Sequence, residues 1–445
     1  MSSIATVVLA AGAGTRMKSA KPKVMHEIGG RPMISHLLGT VGALDPAKIV
    51  VVTSPAMDTV QEEVAPAEIA IQKEALGTGH AVAAALDALG GFAGDVLILY
   101  GDTPLIEAET LRKMIEKRRA SDKCAVVVLG FEPDEAAEYG RLVTDTAGNL
   151  TAIVEFADAD AATRNIGLCN SGVMAIDGAQ LADLINAIDN KNAKGEYYLT
   201  DIVELAIERG FTCAYVKGAE QELLGVNNRA QLAEAEKIAQ TRWRTAAMAE
   251  GATLIDPETV WFSHDTKLGR DVVIEPGVFF GPKVTIGDNV RIKAFSHLEG
   301  ATIGEAAQIG PYARLRPGAE IASDVKIGNF VEIKKSTLER GAKISHLSYI
   351  GDARVGAEAN IGAGTITCNY DGYDKFVTDI GAGAFIGSNT ALVAPVKIGD
   401  GAIIGAGSTI SKNVAADALG IERATEQQKP GWARRFRELK KKVTK

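Results

Sequence analysis

The sequence predicts an α/β chain of two unlike halves: an N-terminal, mostly parallel sheet with helices on both faces, then a C-terminal parallel β-helix. Three features point to it. Up to about residue 229, short apolar runs alternate with amphipathic stretches, as in IATVVL, PMISHLLGTVGAL, KIVVVTS, GTGHAVAAALDAL and DVLILYGDTPLI, the pattern of doubly covered strands separated by helices. From Leu268 onward an aliphatic residue recurs every six positions, usually followed by glycine, as in IGDNVR, IGPYAR, IASDVK, IGNFVE, IGAGTI, IGSNTA and IGDGAI. Such a period, kept over about 150 residues, specifies a hexapeptide solenoid. Aromatics are sparse at 5% while glycine reaches 47 residues, which suits a repetitive, thin-cored fold.

The first apolar run has no basic segment before it and basic residues after it, so it reads as a first strand and not as a signal peptide. It leads into LAAGAGTRMKSAKPK, Leu9 to Lys23. Strand, glycines and cations in succession suggest a loop that meets phosphate. The two common glycine templates are absent: there is no G-x-x-x-x-G-K-[ST], and Met17 stands where G-x-G-x-x-G needs its third glycine. A glycine turn after a strand also serves as a plain connection. Arg16, Lys18, Lys21 and Lys23 favour the phosphate, since cations crowded in one loop repel each other unless an anion sits among them. GDTPL ends a second apolar run, DVLILY. Ligands of parallel sheets lie beyond the carboxyl ends of the strands, so the two loops are placed to share a site. Leu232, Ala235, Ile238 and Ala239 then have helical spacing, with Asn228 able to cap the start and Gly251 the end. Residues 230–250 are expected to be a helical linker between domains at 1–229 and 251–445.

In the solenoid, three hexads close one triangular coil, so residues 18 apart stack on rungs about 4.8 Å apart. Hexapeptide-repeat coils are left-handed. Leu315 and Ile333 are 18 apart, which puts Arg316 and Lys334 on neighbouring rungs. Stacked cations are either a surface pair splayed into water or an anion clamp. Two hexads, before Leu338 and Val355, are one residue short and change the repeat to 17. Ile309, Ile327, Ile344 and Ile361 then share a column, with Pro311, Asn329, His346 and Ala363 stacked beside them. The stretch TCNYDGYDKFVTD exceeds a hexad by seven residues and must project as a loop. Counted as one face, it continues the column with Ser388 and Ala406. A lone histidine on a solenoid is usually decoration; beside a cation pair and a projecting loop, His346 reads as a general base.

Composition bounds the partners. At 445 residues the chain suggests two or three domains, and 46% hydrophobic with 23% charged residues is that of a soluble globular protein. A net charge of −8 argues against a nucleic-acid partner. Cys124, Cys169, Cys213 and Cys368 form no C-x-x-C pair and read as reduced thiols of a cytoplasmic protein. The six histidines are scattered. No apolar stretch approaches the ~20 residues of a membrane span, so no membrane partner is expected.

The motifs LAAGAGTRM…PKV, GTGHA, YGDTPL, EYGRLV, NSGV, GEYYLTDIV and GVNNR resemble sugar-nucleotide uridylyltransferases. ARLRPGA, GNFVEIKKS, SHLSYIGDA, NIGAGTITCNYDG and GSNTALVAPV resemble a hexapeptide acetyltransferase. Both sets in this order are similar to the bifunctional bacterial N-acetylglucosamine-1-phosphate uridylyltransferase/glucosamine-1-phosphate N-acetyltransferase family. The resemblance spans nearly the whole chain, apart from residues 156–168 and the end of the tail. It implies a Rossmann-like nucleotidyltransferase domain followed by a left-handed β-helix. It further implies that the C-terminal half acetylates glucosamine 1-phosphate from acetyl-CoA. The N-terminal half then joins the product to UTP, giving UDP-N-acetylglucosamine and pyrophosphate, for peptidoglycan and lipid A. A homotrimer is implied too, with acetyl transfer where subunits meet.

By the same resemblance the opening loop holds the UTP triphosphate. Backbone N–H groups of Leu9, Ala10, Ala11 and Gly12 approach the nucleotide, and Arg16 and Lys23 neutralise phosphate charge. Asp102 and Asn227 correspond to the ligands of Mg2+. Gln72, Gly77 and Thr78 correspond to uracil-side contacts, Tyr100 and Gly101 to nucleotide-side positions of YGDTPL, and Gly140, Glu155 and Asn170 to sugar contacts. In the second half Arg316, Lys334, Tyr349 and Asn360 correspond to glucosamine 1-phosphate binding. Ala363, Asn369, Tyr370, Ser388, Ala406 and Arg423 belong to the acetyl-CoA set, of which Asn369 and Tyr370 match substrate contacts. His346 corresponds to the base that takes the amine's proton, with Glu332 an orienting residue. The basic tail WARRFRELKKKVTK is either a solvated end or a reach toward a neighbouring subunit's CoA phosphates. Two rival readings keep one activity or none in the solenoid: an assembly module, or an inert scaffold. Each leaves His346 and the TCNYDGYDK loop without a purpose.

Overall fold

The computed structural model describes residues 3–136 and 138–443. The chain divides into two compact units between Arg242 and Trp243. The fold class is the expected one, a nucleotidyltransferase-type α/β unit and a hexapeptide β-helix of the left-handed kind.

The first unit holds nine strands in one sheet: β1 (Ile4–Leu9), β2 (Lys48–Thr53), β3 (Glu68–Ile71), β4 (Asp95–Tyr100), β5 (Cys124–Phe131), β6 (Arg141–Thr144), β7 (Leu150–Val154), β8 (Cys169–Asp177) and β9 (Thr212–Lys217). Their order is β3-β2-β1-β4-β8-β5-β9-β7-β6. Alternate residues of the central strands feed two separate cores, because side chains alternate across a pleat. Val7, Val50, Val52, Val96 and Ile98 meet the helix Thr78–Leu89, whereas Val8, Val51, Leu97 and Leu99 meet Met33–Gly42 and Ala108–Arg119. Both faces are covered, which is why these runs are apolar throughout.

Two strands depart from the mostly parallel expectation: β7 runs antiparallel to β6 and β9, and β8 to its own neighbours. β8 lies between β4 and β5 and runs antiparallel to both. Its register breaks between Asn170 and Met174. There Gly172 has φ +86°, and a Cβ on it would stand 2.7 Å from the Tyr100 ring. An apolar run encodes burial but not direction, so the sequence pattern is silent on this point.

In the second unit, strands of two to four residues stack into three parallel sheets of ten, eight and seven strands. The repeat is 18 where Val273 pairs with Arg291 and 17 where Lys326 pairs with Lys343. The short hexads before Leu338 and Val355 are present, and a third lies between Leu298 and Ile303, where Thr285 pairs with Thr302. Each hexad turns two residues inward: the aliphatic and a smaller one two positions earlier, as in Val325/Ile327, Ala342/Ile344 and Ala359/Ile361.

The helix Arg229–Ala249 contains the junction of the units, and the Gln231 N–H donates to the Asn228 Oδ1 cap at 2.9 Å. The basic tail forms a second exposed helix, Trp432–Val443, in which Trp432 and Phe436 stack at 5.1 Å. Its last two residues lie outside the described ones. Among the described residues no helix is long and apolar enough to cross a membrane.

Ile344 is fully buried between Ile327 and Ile361 on adjacent rungs. Ile344→Ala is expected to destabilise the solenoid by about 2–5 kcal/mol, read from its denaturant midpoint. A loss under about 1 kcal/mol would mean that the neighbouring rungs collapse into the gap.

Candidate active sites

A cavity of about 610 Å³ opens beyond the carboxyl ends of β1–β4, lined by Leu9, Ala10, Ala11, Gly12, Lys23, Gln72, Gly77, Thr78, Tyr100, Asp102 and Glu155 among others. The two loops paired in the sequence reading meet here. The Gly101 N–H donates to the Leu9 carbonyl at 3.0 Å, and the Asp102 carbonyl accepts from the Val226 N–H at 2.9 Å. Gly14, at φ +60°, leaves room for Lys23: a Cβ would stand 2.6 Å from the lysine's own. Gly77, at φ +112°, faces the Tyr197 carbonyl at 2.5 Å in the same sense. The glycines are therefore close-approach positions as well as turns.

Charge converges at one point. The largely buried Lys23 ammonium pairs with the Asp102 carboxylate and donates to Asn227 Oδ1 at 3.1 Å. Arg16 donates to the same Asn227 oxygen at 3.0 Å. Two oxygen donors from sequence positions 125 apart thus already surround one cation, as a hard divalent ion requires. Gln72 donates to the Gly77 carbonyl at 3.1 Å, and Thr78 Oγ1 accepts from the Leu199 N–H at 3.1 Å. Among the residues expected to meet the sugar, the Asn170 N–H donates to the Gly140 carbonyl at 2.8 Å, and the Glu155 carboxyl lies against Gly140. Burial pushes the Glu155 carboxyl up, opposed by Lys194, and burial followed by Asp102 pushes the Tyr100 phenol up.

One expected contact is corrected. The Ala10 N–H donates to the Val52 carbonyl at 2.8 Å, so the β1–β2 ladder consumes it. Ala11 and Gly12 make no backbone hydrogen bond among the described residues.

Two residues without an assigned role complete this loop. Arg229 donates to the Met17 carbonyl at 3.3 Å and to His26 Nδ1 at 3.2 Å. His26 is buried, and burial together with Arg229 and Lys21 pushes its imidazole below the usual range. A neutral imidazole is the form that can accept from a guanidinium. GVNNR therefore grips the basic loop twice, through Asn227 and through Arg229. The motif named Arg229 without giving it work.

On the solenoid the predicted column is present. Asn329 pairs with His346 across rungs, Asn389 N–H donates to the Ala363 carbonyl at 2.7 Å, and Gly407 N–H to the Ser388 carbonyl at 2.8 Å. His346 Nδ1 lies 2.7 Å from Asn329 Oδ1. An amide oxygen only accepts, so Nδ1 is the donor here, and in the neutral ring that tautomer leaves the lone pair on Nε2. Arg316 is paired with Glu332 at 2.8 Å, which offsets its repulsion from Lys334. Lys334 is in register with Gly351, where a Cβ would stand 2.4 Å from the Tyr349 hydroxyl. Arg423 donates to the Ala406 carbonyl at 2.9 Å, joining two members of the acetyl-CoA set. Asn360 lies on the next rungs, between Lys343 and Phe385. The projecting loop is a small hairpin with Tyr370 bridged to Lys375, and the Tyr370 hydroxyl donates to the Gly372 carbonyl at 2.6 Å. Asn369 is turned inward, 7% exposed, with its amide on the Asp352 carboxylate. It shapes the root of the loop.

Comparison with known proteins finds matches to both halves of the chain. Residues 6–191 match the MobA-like NTP transferase domain, and 265–300, 300–335 and 378–412 match the bacterial transferase hexapeptide. Proteins described as bifunctional protein GlmU from Rhodospirillum rubrum and Paramagnetospirillum magneticum are 62% and 61% identical, covering 100% and 98% of this chain and 99% and 97% of their own. The one from Zymomonas mobilis is 52% identical, over 98% of each chain. The chain belongs to the GlmU family. It is a bifunctional transferase: it acetylates glucosamine 1-phosphate and uridylylates N-acetylglucosamine 1-phosphate. Its substrates are small molecules.

Arg229→Ala should raise KM for UTP by about 10–100-fold, the loss of a hydrogen bond from a charged group, with acetyl transfer unchanged. Steady-state kinetics of the two half-reactions check this, and an unchanged KM would free the basic loop from dependence on Arg229.

Proposed function

We propose that uridylyl transfer is catalysed by charge neutralisation and alignment in the 610 Å³ cavity. Its main support is the convergence of Lys23, Asp102, Asn227 and Arg16 on one point. The sugar-phosphate oxygen attacks the α-phosphorus of UTP in line, the α–β bridging bond breaks, and pyrophosphate leaves. Arg16 and Lys23 balance the phosphate charge, and the Ala11 and Gly12 amides cradle the nucleotide. Gln72, Gly77 and Thr78 take the uracil side, Tyr100 and Gly101 support the nucleotide strand end, and Gly140, Glu155 and Asn170 take the sugar. Asp102 and Asn227 would hold a divalent cation, Mg2+, which supplies charge neutralisation at the phosphates.

Acetyl transfer, in the same proposal, uses His346 as base. The glucosamine nitrogen attacks the thioester carbonyl, an N–C bond forms and the C–S bond breaks. The amine's proton passes to His346 Nε2, which returns it to the departing thiolate, so that CoA leaves as the thiol. Asn329 fixes the tautomer; Arg316, Lys334, Tyr349 and Asn360 hold the sugar phosphate. The small side chains of Ala363, Ser388 and Ala406 leave a groove for the pantetheine arm, Arg423 and the Asn369–Tyr370 loop border it, and Ser388 or a backbone N–H faces the oxyanion. Two separate domains, 1–229 and 251–445, joined by residues 230–250, would let each reaction proceed alone. A cytoplasmic homotrimer supplying peptidoglycan and lipid A precursors completes the proposal.

Asp102→Ala should abolish uridylyl transfer and leave acetyl transfer near wild type. Loss of both in a folded variant would overturn the two-site division. His346→Ala should lower acetyl transfer about 10²–10⁴-fold, the range of a positioned acid or base, and spare uridylyl transfer. Asn329→Ala should lower it less. A His346→Ala rate within a few-fold of wild type, measured as free CoA, would remove the base.

A further inference from the structure

The two ring nitrogens of His26 have unlike surroundings. Nδ1 accepts from Arg229 at 3.2 Å, and the same guanidinium donates to the Met17 carbonyl at 3.3 Å. An acceptor at Nδ1 leaves the proton of a neutral ring on Nε2. That nitrogen is sealed from solvent and has no partner among the described residues. The residue as a whole is 5% exposed. A buried donor without an acceptor is a cost, so the ring is held here for what Nδ1 does.

What Nδ1 does is close the basic loop. Met17 ends the turn Thr15–Met17, which carries Arg16, and His26 follows the turn Lys23–Met25, which carries Lys23. The His26 N–H donates to the Lys23 carbonyl at 3.2 Å, and its own carbonyl accepts the Met33 N–H at 2.9 Å where the helix Met33–Gly42 begins. Arg229, at the start of the helix Arg229–Ala249, therefore ties the Arg16 turn to the Lys23 turn across the imidazole.

A second proton on the ring would break this tie. Nδ1–H would face the guanidinium N–H groups, donor against donor and charge against charge, and Nε2–H would still lack a partner. Around the ring, Arg229 and Lys21 oppose a proton, and Glu27 favours one while itself paired with Lys21 at 2.8 Å. Of the other charges on these elements, Lys23 is held by Asp102, and Glu236 takes the Gly29 N–H at 2.8 Å. Burial first, then Arg229 and Lys21, push the imidazole below its usual range. A proton is accommodated once the ring leaves the guanidinium and meets water. The closed loop is thus fully held above the pKa of the released ring and is lost as pH falls through the lower pKa of the closed one.

We propose that the neutral His26 imidazole is the latch of the basic loop: protonation releases Arg229, the loop opens, and UTP affinity falls under acid conditions while acetyl transfer is unaffected. His26 is a positioning residue, acting through Arg229. The proposal rests on the reading of Arg16 and Lys23 as contacts to the UTP phosphates.

Asparagine offers an amide oxygen near the Nδ1 position and does not titrate. In the full-length chain, His26→Asn should keep KM for UTP within a few-fold of wild type at about pH 8, whereas at about pH 5 the wild-type KM should exceed that of the variant by about 10-fold. Protonation of UTP itself acts on both chains and cancels in the ratio. His26→Leu, which cannot accept, should show the raised KM at both pH values. The ratio of wild-type to variant acetyl transfer should stay constant over the range. Wild-type and His26→Asn profiles that run parallel would overturn the latch and leave the reading of the loop intact. Arg229→Ala gives the same test without altering His26: its KM and that of wild type should converge at the acid end, and a constant ratio between them would also overturn the latch. An unchanged KM for UTP in Lys23→Ala would overturn the reading of the loop itself, whichever way the His26 profiles fall.

Discussion

Parallel β-pairing is what both sites rest on. In the first unit it brings the ends of β1, β2 and β4 to one edge of the sheet, so the loop after Leu9 and the loop after Tyr100 face one cavity. In the second unit it stacks equivalent positions of successive coils, so Asn329 and His346 meet although 17 residues separate them. No candidate site residue lies deep within a long helix: Arg16 and Lys23 sit on short 3-10 turns after β1, and Thr78 opens the helix Thr78–Leu89. The strands supply rigidity, and the chemistry sits on what they align.

Both sites also hold charge in a form that a substrate can take over. Lys23 is satisfied by Asp102 and Asn227, and Arg316 by Glu332. A cation left without a partner in a partly buried cleft would carry its full desolvation cost. The internal carboxylates and amides bear that role until an anion arrives. Arg229 and His26 do for the backbone of the basic loop what Asp102 does for its lysine: they hold it in place.

Glycine use follows from the same close packing. Gly14, Gly77, Gly172 and Gly351 each face a neighbour that a methyl group would strike. Gly77 lines the cavity of the first unit, Gly14 and Gly172 face its lining residues Lys23 and Tyr100, and Gly351 seats the Tyr349 hydroxyl beside Lys334. Left-handed positions of the solenoid go to glycine, Asp and Asn on many rungs, to Lys283, Ala306, Lys335 and Glu358 on others, and to Phe295, Tyr312, Phe330 and Leu347 at one corner.

Much of this was legible in one dimension. A six-residue period is a local property of the chain, and it dictates columns; hence His346, Ala363, Ser388 and Ala406 could be stacked on paper, and the loop at 369–377 could be foreseen from its excess length. The alternation of apolar runs likewise foretold a doubly covered sheet. What needed three dimensions were relations between distant segments that carry no periodic mark. The antiparallel insertion of β8, the consumption of the Ala10 N–H by Val52, the grip of Arg229 on Met17 and His26, and the inward turn of Asn369 toward Asp352 all depend on which partner a group finds. Hydrophobic pattern records whether a residue is buried, because burial acts on each side chain separately. Hydrogen bonds and ion pairs act on pairs, and their second member is chosen only when the chain closes on itself.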